Sequence, residues 1–522
     1  MTAVTAETTR TTASGGAADQ SLYALIVSRF PRDANETLLE TQDGSRWSYA
    51  DAHAAAGRYA RFLSDMGVRK GDRVAVQVEK SPQALFVYLA CLRAGFVFLP
   101  MNTAYREDEV DYLVGNAEPA AILCRPDFEK TARSIADKHG TAHVFTLDAD
   151  GSGSFTDRAE NASADFDTVA CDADDLAAML YTSGTTGKPK GAMLTHRNLA
   201  SNGLALVESW RFTADDVLLH ALPIFHAHGL FVACHCTLLS GARMIWLPGY
   251  ARETVMELLP KATVFMGVPT FYTRLLAAPE FGREHTRTIR LFVSGSAPLL
   301  AETHREFSAR TGHMILERYG MTETGMNTSN PYDGDRVPGS VGFPLPGVEA
   351  RVVDEENRPL PVNEVGAIQV RGANVMKGYW KLPEKTKEEF TDDGWFKTGD
   401  QGKVDDRGYI YIVGRAKDMI ISGGYNVYPK EIEGVIDDLP GVIESAVVGI
   451  PHPDFGEVGV AVIVKKADSD LTEEAVLAHV KRHLANYKVP KAARFVRDLP
   501  RNTMGKVQKN LLRQDYEGLY KG

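Results

Sequence analysis

The chain has 522 residues, of which 44% are hydrophobic and 24% are charged, and its formal net charge at pH 7 is −10. This composition is ordinary for a globular protein, and the length exceeds what one core supports, so we expect a large domain and a smaller one. The acidic balance argues against nucleic acid or an anionic membrane as a partner, and five cysteines without a C-x-x-C spacing predict a reducing, cytoplasmic location.

Two stretches near the N-terminus bear on targeting. Residues 1–20 are mainly Thr, Ala, Ser and Gly without an apolar run, which predicts a disordered tail and not a signal peptide. Residues 85–99 are apolar but contain Arg93 and Gly95 and are too short to cross a bilayer, so they predict a core helix followed by a strand. No membrane anchor is expected.

Helical and β-branched segments alternate over roughly the first 316 residues. Helices are predicted at 51–66 and 82–94, and strands at 73–78, 97–99, 264–267 and 291–294. Such alternation is typical of an α/β fold, in which helices cover a mostly parallel sheet. Ligands of such sheets bind at the carboxyl ends of the strands.

The pattern changes after residue 341. Short strands separated by Gly, Pro and Asp, at 349–354, 367–371 and 409–413, predict a small β subdomain. An α+β unit follows, with helices at 429–439 and 473–484 and strands at 442–448 and 458–465. The predicted organisation is a tail (1–20), an N-terminal domain (21–414), a short polar link (415–417) and a C-terminal domain (418–522).

The most informative segment is residues 181–191, Tyr-Thr-Ser-Gly-Thr-Thr-Gly-Lys-Pro-Lys-Gly, which follows a predicted buried strand at 176–180. Its glycines free the backbone so that N–H groups converge on an anion, and its hydroxyls and lysines add donors and charge. A Walker loop has four residues between its glycines, whereas only two separate Gly184 from Gly187. The segment therefore predicts a polyphosphate grip outside the P-loop class, with a flexible polar linker as the alternative.

Further segments occur in an order that is characteristic of one family. They are HAHG (226–229), SGSAPL (294–299), RYGMTE (318–323), WFKTGD (395–400), GRAKD with SGGYN (414–418 and 422–426) and PRNTMGK (500–506). Together with the loop, they resemble the adenylate-forming superfamily of acyl-CoA synthetases, peptide-synthetase adenylation domains and firefly luciferase, over about residues 21–520. The resemblance implies a large N-terminal domain of αβ subdomains with a small β subdomain, and a mobile α+β C-terminal domain.

The same resemblance implies a two-step reaction that uses ATP, Mg²⁺ and coenzyme A. A carboxylate attacks the α-phosphate of ATP and expels pyrophosphate, and the thiol of coenzyme A then opens the acyl-adenylate to a thioester. Because two anions must meet in the first step, positive charge is the main catalytic resource.

Residue by residue, the resemblance assigns the ATP site. The polyphosphate loop comprises Thr182, Ser183, Gly184, Thr185, Thr186, Gly187 and Lys188. The adenine slot and the strand beside it comprise Gly295, Ser296, Ala297, Pro298, Tyr319, Gly320 and Met321. Thr322 is expected to touch the α-phosphate, Glu323 to hold Mg²⁺, and Asp400 with Arg415 to bind the ribose.

The C-terminal motifs imply a change of conformation between the two steps. Lys506 resembles the lysine that bridges the attacking carboxylate and the α-phosphate. The family then swings its small domain about a hinge residue, here Lys417, and presents a second face to coenzyme A. That face comprises Ser422, Gly423, Gly424 and Tyr425. The Lys506 segment also resembles sites of regulatory acetylation, which implies a lysine acetyltransferase as a partner.

Arg318, directly before Tyr319, predicts which acid is activated. Relatives that use aromatic or fatty acids usually have glycine there, and a buried guanidinium without a partner is costly, so Arg318 predicts a substrate with a second carboxylate. Arg274, on the adjoining predicted helix, is expected to help hold that carboxylate. The alternative is that one or both arginines pair with Glu317 or Glu302.

Three longer strings, 267–276, 294–300 and 317–339, closely resemble malonyl-CoA synthetases. In that resemblance His228 is a gate beside the acyl pocket, and we count it with Lys506, Thr322 and Glu323 as catalytic. Met326 would border the α-carbon of the acid, and Ala227 replaces a threonine of some relatives, which leaves room for methylmalonate. The weaker alternative for this region is a zinc site, and its ligands would be His226, His228, His235, Cys234 and Cys236.

The expected function is therefore the ATP-dependent ligation of malonate or methylmalonate to coenzyme A, giving the thioester, AMP and pyrophosphate. Two alternatives stay open. One is a coenzyme A ligase for a short-chain or aryl monocarboxylate, and the other is a stand-alone adenylating module that loads a carrier protein or serves as a scaffold.

Overall fold

The computed structural model describes residues 19–182, 189–422, 425–452, 455–484, 486–502 and 505–520. Its largest sheet has nine strands and is parallel through its centre, with antiparallel pairs at both edges. In spatial order the strands are Phe343–Pro344, Gly325–Ser329, Leu316–Met321, Leu291–Ser294, Val264–Gly267, Val217–His220, Arg243–Trp246, Thr37–Thr41 and Arg46–Ser48.

A second sheet of seven strands lies beside the first. In spatial order its strands are Gly378–Tyr379, Lys190–Thr195, Leu176–Thr182, Val97–Pro100, Arg73–Gln77, Ala121–Cys124 and His143–Thr146. The first two pairings along this order are antiparallel and the others are parallel. One continuous apolar core joins the facing sides of both large sheets, and a separate cluster covers the far side of the seven-stranded sheet.

Two smaller sheets complete the fold. The first is antiparallel, with the strands Val348–Val353, Gly366–Gly372, Phe396–Val404 and Ile410–Arg415. The C-terminal sheet contains Tyr425–Val427, Ile420–Ser422, Gly456–Lys465 and Val442–His452, with Ala492–Val496 added in parallel to Gly456–Lys465. It has apolar clusters of its own on both faces.

Helices cover these sheets. The α-helices are Leu22–Val27, Tyr49–Asp65, Pro82–Ala94, Glu107–Ala117, Glu129–His139, Ser154–Ala159, His196–Ser209, His235–Ser240, Arg252–Leu258, Pro269–Leu276, Arg283–Thr286, Ala301–Thr311, Pro383–Glu388, Pro429–Asp437, Glu473–His483 and Lys509–Tyr516. Short 3₁₀ turns occur at Pro126–Phe128, Leu259–Lys261, Ala416–Asp418 and Asn486–Lys488, and a π-helix occurs at His228–Cys234. No helix in the described ranges is long and apolar enough to span a membrane.

The helix Pro82–Ala94 shows why the sequence folds as it does. Ser81 caps its first turn by accepting a hydrogen bond from the Ala84 N–H, and Pro82 supplies a fixed φ at a position where no N–H is needed. Gly95 ends the helix at φ +70°, a left-handed conformation that glycine adopts without strain. The helix is buried almost all round, so it is the core helix that its apolar sequence predicts.

The predicted α/β fold is confirmed, and the predicted helices and strands are present with ends shifted by a few residues. The strands Val264–Gly267 and Leu291–Ser294 have the predicted bounds, whereas the strand predicted at 442–448 continues to His452. Most of the predicted tail lies outside the described residues. Its last two members are ordered, because the Gln20 N–H donates to the Cys171 carbonyl and Asp19 accepts from the Ser21 N–H.

Candidate active site

The candidate site lies where strands of both large sheets end. Val264–Gly267, Leu291–Ser294 and Leu316–Met321 are parallel neighbours, so their carboxyl ends form one edge. The strand Leu176–Thr182 of the other sheet ends opposite this edge, since Thr182 Oγ1 donates to Glu323 Oε1 over 3.2 Å. The cleft between the two sheets is therefore lined by the segments that the sequence singled out.

Glu323 is the acidic centre of this cleft. It is 6% exposed and sits in the turn after Leu316–Met321. Its Oε1 also accepts a hydrogen bond from the Tyr379 hydroxyl, over 3.0 Å. Both donors are neutral, so they orient the carboxylate and leave its negative charge for a cation. The remainder of the predicted loop, Ser183, Gly184, Thr185, Thr186, Gly187 and Lys188, lies outside the described residues.

Asp400 forms a second polar centre. It pairs in register with Arg415 on the neighbouring strand, and the Arg415 Nε lies 2.9 Å from Asp400 Oδ1. The Tyr319 hydroxyl donates to Asp400 Oδ2 over 2.5 Å. Burial and the nearby Asp400 charge raise the pKa of Tyr319 well above its ordinary value, so the phenol stays protonated and donates. Three predicted residues from three strands thus meet at one carboxylate.

The predicted adenine segment borders both centres. Ser296 adopts φ +71°, and its Oγ lies 3.2 Å from Nδ1 of His228. Ala297 is half-buried and Pro298 is exposed at the cleft. A Cβ on Gly320 would lie 2.2 Å from the Gly325 carbonyl oxygen, so the turn that carries half-buried Met321 and Thr322 closes only with glycine there.

Arg318 is buried behind this segment, and no carboxylate of the described residues forms an ion pair with it. Its side chain lies against Gly295, where a Cβ would come within 2.2 Å of the guanidinium carbon. Its Nε and Nη2 have no hydrogen-bond partner in the part of the chain that the structure describes. Burial lowers the pKa of Arg318 to about 9. A guanidinium held this way is costly by itself and is a ready site for a carboxylate.

Of the two carboxylates that could have neutralised Arg318, Glu317 is engaged elsewhere, and Glu302 is exposed on the helix Ala301–Thr311. Glu317 accepts from the Gly339 N–H over 3.0 Å, and burial raises the pKa of Glu317 to about 8. Arg274 is not brought together with Arg318: it is exposed on the helix Pro269–Leu276, with its guanidinium 5.9 Å from the centre of the Tyr250 ring.

Two histidines face Arg318 from the segment 226–229. Burial, with the Arg318 charge as the second cause, lowers the pKa of His226 to about 4 and that of His228 well below its ordinary value. Both rings are therefore neutral at physiological pH, and the Nε2 of His228 has no partner among the described residues. The other members of the alternative zinc set are packed in the core, where His235 Nε2 lies 2.8 Å from the Tyr88 hydroxyl and Cys236 is fully buried.

Ala227 and Met326 lie next to this pocket. Ala227 lines a small cavity with Phe231, Thr322 and Gly325. Met326 is 3% exposed and is fixed by Asn202, whose side chain accepts from its N–H over 2.9 Å and donates to its carbonyl over 2.7 Å.

Lys506 reaches the same cleft from the C-terminal sheet. Its side chain is solvent-accessible but surrounded by protein, and this desolvation together with Arg415 lowers its pKa to about 8. The adjacent Gly505 approaches the acyl side of the cleft, since a Cβ there would lie 3.2 Å from Thr270 Oγ1. The cleft therefore contains cationic side chains from both parts of the chain, before and after the link at residues 415–417.

The second C-terminal face is described only in part. Ser422 is buried at the end of Ile420–Ser422 and pairs with Tyr425 in the next strand. Gly423 and Gly424 lie outside the described residues, as does the side chain of Tyr425. Lys417 is exposed, and its carbonyl accepts a hydrogen bond from Arg513 over 3.3 Å.

Sequence reasoning missed Tyr379, which donates to Glu323. Nothing near Tyr379 in the sequence distinguishes it from a core tyrosine, since its contact with Glu323 joins residues 56 positions apart. The exposure of Arg274, in contrast, has a signal: Phe271, Tyr272, Leu275 and Leu276 mark the buried side of the helix, and position 274 points away from it.

Comparisons with known proteins agree with these motifs. The model of the AMP-binding enzyme family matches residues 27–380, and that of the AMP-binding enzyme C-terminal domain matches residues 431–506. A malonate–CoA ligase of Arabidopsis thaliana is 36% identical, over 95% of this chain and 89% of its own length. A feruloyl-CoA synthase of an Amycolatopsis species is 35% identical, over 91% of this chain and 94% of its own length.

Among solved structures, MatB from Rhodopseudomonas palustris is 57% identical, covering 96% of this chain and 100% of its own. The TM-score is 0.94 against its ATP-bound form and 0.84 against its apo form. The chain as a whole is therefore more similar to the ATP-bound form than to the apo form.

Proposed function

Because the chain belongs to the AMP-binding enzyme family, we propose that it is an ATP-dependent ligase that joins malonate to coenzyme A through an acyl-adenylate. AMP and pyrophosphate are the other products. The observation that carries the choice of acid is Arg318, a buried guanidinium with unpaired nitrogens beside the nucleotide segment. The relative named malonate–CoA ligase supports the same choice.

The dicarboxylate argument rests on charge. A monocarboxylate has one anionic group, which the first step consumes by attack on phosphorus, so it would leave Arg318 unpaired in the pocket wall. A second carboxylate would accept from the two free guanidinium nitrogens as a bidentate pair. Arg274 would join this clamp only by leaving Tyr250, so we assign the second carboxylate to Arg318.

In the first step, an oxygen of the other carboxylate forms a bond to the α-phosphorus and the bond to pyrophosphate breaks. Lys506, with its ammonium near Asp400 and Arg415, would lie between the two reacting anions and neutralise the charge that develops. Thr322, in the same turn as Glu323, would contact the α-phosphate. His228, neutral and adjacent to Ser296, would close the acid pocket without adding charge.

The nucleotide would be held by groups that already form a network. Asp400 would accept the ribose hydroxyls while Arg415 and Tyr319 fix its orientation. The segment Gly295–Pro298 and Tyr319–Met321 would flank the adenine. The residues fit Mg²⁺ through Glu323, a carboxylate with two neutral donors, and the ion would supply Lewis-acid polarisation of the phosphates.

For the second step we propose that the C-terminal domain, residues 418–522, rotates on the hinge 415–417 against the N-terminal domain, residues 21–414, with residues 1–20 as a tail. Lys506 would leave the cleft, and the face of Ser422, Gly423, Gly424 and Tyr425 would admit the pantetheine arm. The thiolate would attack the acyl carbon and AMP would leave. The Arg513 bond to the Lys417 carbonyl belongs to the present arrangement and would break on rotation.

Regulation and location complete the proposal. Acetylation of Lys506 by a lysine acetyltransferase would remove its charge and stop the first step. A cytoplasmic location is supported by five cysteines that are all buried and unpaired.

The proposal is tested by a panel of acids with pyrophosphate release as the readout. Malonate and methylmalonate should support release, and acetate, butyrate and benzoate should not. Arg318→Gly should lower kcat/KM for malonate by about 10²-fold or more, because bidentate charge-assisted bonds are lost. Unchanged malonate activation in this variant would favour a monocarboxylate ligase, and thioester formation without coenzyme A would favour a carrier-loading module.

A further inference from the structure

A buried lysine behind the acid pocket has no role in the reaction described so far. Lys80 is 8% exposed and follows the strand Arg73–Gln77 of the seven-stranded sheet. No carboxylate forms an ion pair with it in the described parts of the chain. Its ammonium instead lies over the Trp246 ring, 4.3 Å from the centroid, so an uncompensated amine is kept in the core where burial is expensive.

Lys80 makes two hydrogen bonds to one residue of the other large sheet. Its Nζ donates to the His220 carbonyl over 2.8 Å and lies 2.8 Å from the His220 Nδ1. His220 is the last residue of the strand Val217–His220 and is 1% exposed. A single side chain therefore bridges the two sheets whose strand ends form the cleft.

The contacts of both ring nitrogens determine the tautomer of His220. Nε2 lies 2.9 Å from the Gly229 carbonyl oxygen, which can only accept, so Nε2 carries the ring proton and donates it. The ring is neutral because burial lowers the pKa of His220, so Nδ1 accepts from Lys80 whether Lys80 is an ammonium or an amine. Burial lowers the pKa of Lys80 to about 7, but a neutral amine still has N–H groups to donate, so the link persists through that titration.

The recipient carbonyl belongs to the turn that carries the acid-pocket residues. Gly229 follows Ala227 and His228 directly and is the second residue of the π-helix His228–Cys234. It approaches the chain so closely that a Cβ would lie 2.0 Å from the Pro223 carbonyl oxygen. The turn is therefore held from behind by a hydrogen bond and by close packing, with its front facing Arg318.

We propose that Lys80 and His220 are a positioning pair for the acid substrate: Lys80 fixes the ring of His220, and His220 holds the Gly229 carbonyl so that His228 and Ala227 line the pocket. The pair acts through this turn and does not touch the reacting atoms. The inference rests on the proposed function, because that function gives the pocket its role. Its test uses whichever acid the wild-type enzyme prefers.

Two substitutions of His220 separate its hydrogen bond with Lys80 from its hydrogen bond with Gly229. In His220→Gln the side-chain amide reaches the Nε2 position and can still donate to Gly229, whereas in His220→Asn an oxygen takes the Nδ1 position and the Gly229 donor is lost. Lys80→Met removes the hydrogen bonds from Lys80 to His220 and keeps a side chain of similar volume. Lys138→Met is the matched control, since Lys138 is exposed on the far surface and pairs with Asp111.

The readouts are KM and kcat for the acid and for ATP in pyrophosphate release, together with thermal stability. We expect His220→Asn and Lys80→Met to raise KM for the acid by about tenfold while KM for ATP changes by less than about twofold. His220→Gln should retain most of the wild-type affinity for the acid, and Lys138→Met all of it.

Three outcomes would overturn the proposal. They are equal losses in the Gln and Asn variants, an unchanged KM for the acid in a folded Lys80→Met protein, and parallel losses for acid and ATP that follow thermal stability. If Lys80→Met does not fold, the His220 pair decides alone. A wild-type protein that activates no dicarboxylate would refute the proposed function but would leave this test intact with its own acid.

Discussion

At the scale of single residues, this site contains cationic side chains whose positive charge is not fully balanced by nearby carboxylates. Arg318, Lys80 and Lys506 each lie in a desolvated environment, and the pKa of each is lowered because burial disfavours the charged form. Lys506 is the most exposed of the three. Under the proposed mechanism, the rate of the first step depends on pH through the ionisation of Lys506.

We predict that kcat/KM for pyrophosphate release falls as pH rises through about 8. The pKa of Lys506 is lowered from 10.5 to about 8, so the free enzyme loses the needed ammonium above that pH. The pH profile of kcat/KM reports groups of the free enzyme and would show this pKa. Thioester formation from a supplied acyl-adenylate is the control and should not fall in this range, because the thiol of coenzyme A ionises further as pH rises. A flat profile to pH 9.5 would contradict the assignment.

Neutralising Lys506 should separate the two steps. Lys506→Gln is expected to lower the rate of adenylation by about 10²–10³-fold, the usual range for loss of one preorganised electrostatic contact. Thioester formation from a supplied acyl-adenylate should change by less than about threefold, because the proposed rotation takes the lysine out of the cleft before this step. Rapid-quench measurement of each half-reaction checks this, and equal losses in both would argue against domain alternation.

Glu317 should make stability depend on pH. Its pKa is raised from 4.5 to about 8, so between those values the folded protein keeps a proton that the unfolded chain releases. Stability from this group is therefore full below about pH 4.5 and is lost as pH rises to 8. Glu317→Gln should raise the free energy of unfolding by about 1 kcal/mol or more at pH 8.5 and little at pH 5. Denaturant unfolding at both values tests this, with exposed Glu474→Gln as the control.

At the scale of helices and turns, two glycines test the packing of the backbone, because one has free space for a Cβ and the other has none. Gly434 is exposed inside the helix Pro429–Asp437 and a Cβ there would meet nothing within 4 Å, whereas Gly229 has no room for one. Gly434→Ala should stabilise the protein by about 0.5–1 kcal/mol, the helix-propensity difference. Gly229→Ala should destabilise it and lower affinity for the acid. A destabilised Gly434→Ala variant would contradict the helical position.

The order of the motifs in the sequence predicts which strands meet at the site. No local sequence pattern indicates side-chain contacts between residues that lie far apart in the chain. Asp400 and Arg415 are predicted because each lies in a recognisable segment, and strand pairing then places them side by side. Lys80 and His220 are 140 positions apart, and each alone reads as an ordinary buried or surface residue. Arg274 was predicted to face the acid because its helix borders the pocket, but the apolar side of that helix turns it outward.

At the scale of the whole molecule, the present arrangement brings the C-terminal sheet against the acyl side of the cleft. Gly505 lies near Thr270, and Arg305 lies 3.4 Å from Asp438 at a peripheral contact. Both members of that ion pair are more than 60% exposed, so it contributes little stability and can break readily. The proposed rotation between the two steps would therefore meet little resistance from this ion pair.

A cross-link across this edge should stop the reaction halfway. In a protein with Arg305→Cys and Asp438→Cys, a short bis-maleimide would join the two parts, and the five native cysteines are buried and should not react. We expect pyrophosphate release in a single turnover, without thioester formation. Each single-cysteine protein, treated alike, should complete both steps. Full thioester turnover in the cross-linked protein would show that no large rotation is needed.

The contact between Gly295 and Arg318 has a consequence for how such enzymes change their substrates. In its present rotamer, an arginine at 318 needs glycine at 295, because a Cβ would lie 2.2 Å from its guanidinium carbon and would force the guanidinium to move. A lineage that has filled position 295 can therefore gain the arginine only with its guanidinium displaced. A lineage that loses the arginine is free to fill position 295 later. Under the proposed role of Arg318, the order of changes at these two positions affects how a two-carboxylate pocket is gained.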